Sequence, residues 1–131
     1  MTNLSRVHLV VLAVVLSQLV PAAYAAGPAQ ATFSRDVAPI LQAKCQECHQ
    51  PNSIAPMSLI TYQDARPWAK AIRERVITRQ MPPWHIDRSV GVRKFKNDLS
   101  PTDSQIDTIV RWVDAGAPEG DPKDMPPAKP I

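Results

Sequence analysis

The 131-residue sequence predicts a mainly α domain of three to four helices, on three observations. Two stretches repeat apolar residues at helical spacing: Ala65, Trp68, Ala69, Ile72, Val76 and Ile77, then Ile106, Ile109, Val110 and Val113. Both follow helix-start signals, Thr61 with Asp64 three residues on, and Ser100-Pro101-Thr102-Asp103. Between them lie proline-bearing segments without sustained polar/apolar alternation; Val90, Val92 and Phe95 leave room for one short strand pair, to which the pattern does not commit.

The chain begins with a secretory signal over residues 1–26: Arg6 gives a positive start, Val7 to Val20 an apolar core, and Ala23-Tyr24-Ala25 a small-residue cleavage site. The apolar run falls short of the roughly 20 residues that a membrane span needs, and Ser17, Gln18 and Pro21 interrupt its end. Cleavage therefore leaves no stable span, and the mature protein is expected to be periplasmic or otherwise exported.

Residues 27–32 read as a loose arm, 33–118 as one domain, and 119–131 as an extended, weakly ordered proline-rich tail. Ser34 is the expected cap of the first helix, with Val37, Ile40, Leu41 and Lys44 on one face and Pro39 in the first turns. Residues 50–60 carry Pro51, Asn52, Ser53 and Pro56 and read as a loop. Pro67 should kink the middle helix or split off its first turn. In the last helix Ser100 is the expected cap, and Gly116 followed by Pro118 ends it. That helix should cross the first one and close the core.

Cys45-Gln46-Glu47-Cys48-His49 carries the chemistry. Two thiols three positions apart with a histidine directly after the second form the attachment pattern of a c-type haem. Each thiol can add across one vinyl group of the porphyrin, and the spacing brings His49 beneath the iron as proximal ligand. The expected cofactor is thus one covalent haem c, with the helices packed around it. A structural zinc site would need four N or S ligands, whereas the chain offers two cysteines and the histidines His8, His49 and His85. A redox dithiol would need a βαβ setting. His49 also needs an acceptor for its other ring N–H, for which a carbonyl near Pro56 is the candidate.

For the sixth position of the iron, Arg79-Gln80-Met81-Pro82-Pro83-Trp84-His85 is the informative stretch. Two prolines stop the helix and hold an extended backbone after Met81, which makes Met81 the expected distal ligand. His85 and Met57 are the alternatives. Met57, eight residues from His49, is close in sequence for a ligand on the opposite face, and His85 would give bis-histidine coordination with a lower potential.

Formal net charge is +3, from 15 basic and 12 acidic residues, and Arg6 of the signal carries one of those charges. So near a balance, charge gives no case for nucleic acid. The basic residues of the middle helix, Arg66, Arg73 and Arg79 among them, form either a solvated face or contacts to a haem propionate or an acidic redox partner.

Helix, Cys-x-x-Cys-His, proline loop, middle helix, distal methionine and closing helix together resemble the small class I, monohaem cytochrome c domains, over about residues 33 to 118. More narrowly, Ala55-Pro56-Met57-Ser58-Leu59, Arg66-Pro67-Trp68, Arg79 to Trp84 and Trp112 to Pro118 look similar to haem segments of larger bacterial secreted proteins. The resemblance implies iron ligation by His49 and Met81, and it aligns Pro56 with the family's loop proline. Ala55 stands where the commonest pattern has glycine, and the run from His49 to Met81 is short. The implied function is electron transfer, one haem cycling between Fe(III) and Fe(II) outside the cytoplasm among redox protein partners, a larger oxidoreductase being one such partner. No enzymatic role is expected. An open-coordination haem enzyme acting on peroxide and a haem-based sensor are the rivals, and either would need Met81 off the iron.

Overall fold

The computed structural model describes residues 29–83, 89–91 and 95–129. The expected signal over 1–26 and the alternative ligand His85 lie outside the described residues. Among those described the chain is mainly helical with no strand, and no helix is long and apolar enough to cross a membrane.

The first helix opens as a π-helical segment, Phe33–Val37, and continues as α1, Ala38–Lys44. Val37 N–H reaches back to Thr32 O at 3.2 Å. Pro39, which has no N–H to offer a preceding carbonyl, sits where the wide turn gives way to regular helix. Val37, Ile40 and Leu41 are buried as expected. Ser34 is not the cap, since the helical turns already include it. It is buried, and its hydroxyl and backbone N–H both donate to Glu119 O, at 3.0 and 2.9 Å. The start is secured instead by Asp36, whose carboxylate accepts from Thr32 N–H at 2.7 Å. Partial burial opposes ionisation of Asp36, but bonds from Arg35 and Thr32 outweigh it and hold the carboxyl below its usual range.

The middle region follows the sequence closely. Thr61 and Asp64 form the capping box of α2, Tyr62–Ala65. A 3₁₀ turn, Arg66–Trp68, carries Pro67, and α3 runs Ala69–Ile77. The proline has therefore split the helix. Ala65, Ala69, Ile72 and Val76 are buried, whereas Trp68 is 43% exposed and Ile77 is also exposed. Trp68 lies off the buried stripe because it belongs to the 3₁₀ turn, which shifts the helical phase ahead of α3, and Ile77 is the last residue of α3, at the edge of that stripe.

The last helix, α4, is Asp103–Asp114. Its cap is Thr102, not Ser100: Thr102 Oγ1 accepts from Gln105 N–H at 3.2 Å, and Gln105 Oε1 accepts from Thr102 N–H at 2.9 Å. This reciprocal box outcompetes the serine two residues earlier. The other end is a Schellman turn in which Ala117 N–H bonds Trp112 O at 2.8 Å and Gly116 N–H bonds Val113 O at 3.0 Å. Gly116 takes the left-handed position there, at φ 88.

Trp112 is the centre of the core: it is fully buried, with its ring 6.0 Å from that of Phe33 in the first helix. Phe33 in turn meets Tyr62 edge-on at 5.5 Å. The indole N–H donates to Pro118 O at 2.9 Å, and Tyr62 O–H to Ala117 O at 3.0 Å. α4 thereby packs against both the π segment and α3, closing the core as expected.

The residues just before the first helix and those of the tail are more engaged than the sequence suggests. Ala31 is buried, and Gln30 O accepts from Arg35 at 2.9 Å. The tail is mostly extended, with one 3₁₀ turn at Pro122–Asp124. It is tied down by Phe33 N–H to Pro118 O at 2.9 Å, by Ser34 to Glu119, and by Gln42 Nε2 to Pro127 O at 2.7 Å.

Candidate cofactor site

The residues after α1 do not continue the helix. Cys45 and Gln46 N–H groups both fold back onto Leu41 O, at 2.8 and 2.9 Å, and His49 N–H closes a turn onto Cys45 O at 2.9 Å. Cys45, Cys48 and His49 thus occupy one tight turn, and all three line one cavity.

The 50–60 loop returns to hold this turn. Leu59 N–H donates to His49 O at 3.0 Å, Ala55 N–H to Cys48 O at 3.2 Å, and Gln46 Nε2 to Leu59 O at 2.9 Å. The imidazole is fixed as well: His49 Nδ1 lies 3.2 Å from Met57 O. With Nδ1 as donor, the ring presents Nε2 as the free ligating nitrogen. The acceptor is the carbonyl directly after Pro56, within the stretch that the sequence nominated.

The cavity measures about 280 Å³ and is walled by Ile54, Ala55, Pro56, Met81, Pro82, Pro83 and Leu99 beside the thiols and the imidazole. Among the described residues, Lys44 and Glu47 supply the charges on it. Its volume lies at the lower edge of small-molecule sites, roughly 300–1,000 Å³. Ile54, 83% exposed, and Met81, 40% exposed, present apolar surface there. Lys44 Nζ donates to Asp98 O at 3.1 Å, which keeps the segment bearing Leu99 against the cavity.

Met81 arrives from the other side of the sequence, just past the end of α3. Gln80 and Met81 N–H groups both donate to Arg75 O, at 2.9 and 3.2 Å, and the Met81–Pro82 peptide is cis. Among the three candidates for a distal ligand, Met81 lines the cavity. Met57 packs against the hydrophobic core and offers its carbonyl to His49 instead. His85 lies outside the described residues.

Cys45 and Cys48 are not joined by a disulfide. Packing pushes the Cys45 thiol up to about 12; desolvation is the main cause, the Cys48 sulfur adds to it, and Lys44 opposes it. A thiol so raised is slow to take part in disulfide exchange. Nor do the side chains converge for a bare ion: among the described residues no group of three His, Cys, Asp or Glu is gathered to hold one. The lining instead brings together two thiols and an imidazole from one turn and a thioether from another segment on the same apolar cavity, a donor set that a covalently attached haem would use.

The basic residues of α3 are largely engaged within the protein. Arg73 Nε lies 3.0 Å from Asp114 Oδ1, and Arg79 pairs with Asp103. Both therefore tie α3 to α4, while Arg66 remains exposed on the 3₁₀ turn. The Arg79–Asp103 pairing was not foreseen. Its only sequence signal is that each residue sits at a helix boundary.

No protein-family model, curated protein or solved structure matches the chain.

Proposed function

We propose that this protein is an exported monohaem c-type cytochrome that passes single electrons between protein partners. Cys45 and Cys48 would hold the porphyrin through thioether bonds, His49 would ligate iron from the proximal side, and Met81 from the distal side. The observation that carries the reading is that these four residues, 36 positions apart at the extremes by their numbering, line the same apolar cavity. A bound haem would supply Fe(III)/Fe(II) cycling without any substrate bond being made.

The chain's own part is to set how readily that cycling occurs. Met57 O fixes the imidazole through Nδ1, which raises the basicity of Nε2. Thioether ligation and an apolar wall both disfavour the extra positive charge of the oxidised state, so a potential above that of a bis-histidine haem is expected. The apolar rim of Ile54, Pro56 and Pro83, all exposed, supports close approach of a partner to one edge of the site.

The test is the absorption spectrum of the exported, haem-loaded protein, oxidised and reduced, beside that of Met81→Ala. A low-spin spectrum whose weak Fe(III)–thioether charge-transfer band disappears in Met81→Ala is the expected result. A high-spin spectrum unchanged by the substitution would remove Met81 from the iron and favour peroxide chemistry or sensing at an open position.

A further inference from the structure

Met81 is followed by two prolines, so no backbone N–H at positions 82 or 83 helps to hold it. What fixes it comes from upstream. α3 ends in a Schellman turn, with Gln80 N–H on Arg75 O at 2.9 Å and Arg79 N–H on Val76 O at 3.2 Å, and Met81 N–H shares the Arg75 carbonyl at 3.2 Å. The residue in the left-handed position of that turn is Arg79, at φ 54. Glycine is usual there, and any side chain is disfavoured. The chain nevertheless carries arginine, whose guanidinium engages Asp103, the first residue of α4. α4 is itself anchored by the Thr102–Gln105 box and by the buried Trp112.

We propose that the Arg79–Asp103 ion pair is a latch that fixes the end of α3 against α4 and so holds Met81 at the cavity, making Arg79 and Asp103 positioning residues for the distal thioether. The inference rests on the haem reading above. Asp103 is 92% exposed, and exposed pairs add little to global stability. The effect of the latch is therefore local: it acts on the short span between the last helical turn and the prolines.

Imidazole, a neutral competitor for the distal position, reads out that effect. Ferric wild type, Asp103→Asn, Arg79→Gln, Asp107→Asn and Met81→Ala are titrated with imidazole and followed by absorbance, at low and at high salt. Met81→Ala should bind imidazole most tightly, because nothing need be displaced. Asp103→Asn and Arg79→Gln should each bind it about two- to fivefold more tightly than wild type at low salt. That difference should vanish near roughly 1 M salt, where exposed charges are screened within about 3 Å. Asp107→Asn makes the same charge change on the same helix but breaks the separate pair with Arg111, 2.8 Å long, and should match wild type. As a readout independent of the iron, the Gln80 and Met81 amides should exchange faster in Asp103→Asn than in wild type. Asp103→Asn binding imidazole like wild type at both salt concentrations, with Met81→Ala still tightest, would overturn the latch alone. Met81→Ala binding like wild type would overturn the ligand assignment and the latch with it.

Discussion

His49 and Met81 reach the cavity by different kinds of support. His49 is held on three sides: its N–H on Cys45 O, its carbonyl accepting from Leu59, and its ring on Met57 O. Met81 hangs from one carbonyl, that of Arg75. Asp64 shows how a single carboxylate can secure the loop behind His49. It accepts from Ser58 Oγ at 2.9 Å and from Thr61 N–H at 3.3 Å, and the Ser58 bond is the main reason its carboxyl sits below the usual range. A folded-state pKa below the unfolded value of about 3.9 stabilises the fold above that value, and the contribution is lost as pH falls through the folded pKa. Asp64→Asn should therefore lower stability by about 1 kcal/mol at neutral pH, and the gap from wild type should shrink from about pH 5 downward. Thermal unfolding across that range checks it, and a gap independent of pH would refute the role of the charge. At this scale the turn that gathers Cys45, Cys48 and His49 on one cavity was legible, because the three are near neighbours in the sequence. The sequence itself favours Met81 over Met57, on the two prolines that follow it and on its greater separation from His49; the fold adds that Met81 lines the cavity while Met57 packs against the core.

Between residues and the whole lie the elements, where strong local signals were readable and competitions between signals were not. The Thr61–Asp64 box and the break at Pro67 were plain, since each follows from a few adjacent residues. Ser100 and Thr102 both offer helix starts, and the reciprocal bond to Gln105 decides between them. The central place of Trp112 rests on a partner, Phe33, that lies far away in sequence, so no local period shows it. The tail was the largest surprise, for backbone-mediated docking leaves no hydrophobic period to read. Gly120 explains how it lies so close: at φ 84, a Cβ on it would fall 2.6 Å from Thr32 Cβ. Gly120→Ala should cost about 1–3 kcal/mol by thermal unfolding, combining a left-handed backbone with a steric clash. Gly91, at φ 62 with nothing within 4 Å of the added carbon, isolates the backbone part, and Gly91→Ala should cost about 1 kcal/mol. Equal losses in the two variants would mean that the tail yields to the clash and does not clamp the first helix.

In the molecule as a whole, the aromatic core of Phe33, Tyr62 and Trp112 fixes the first helix, α2 and α4, and the cavity sits where the loop after α1 meets the end of α3. Polypeptide alone builds that core, so the fold class could be read from helical spacing and caps. For the cavity the sequence offers only the expected meeting of His49 with Met81 and not its walls, because its two halves come from segments with no local interaction. The central claim is that Cys45 and Cys48 carry a covalent haem. The most direct test is the intact mass, under denaturing conditions, of the chain purified from a host that exports it and attaches haem to such motifs. The account predicts the mass of the mature polypeptide plus one haem, retained through unfolding, and polypeptide alone after both cysteines are changed to alanine. A wild-type mass of bare polypeptide, with both thiols still open to alkylation, would contradict it.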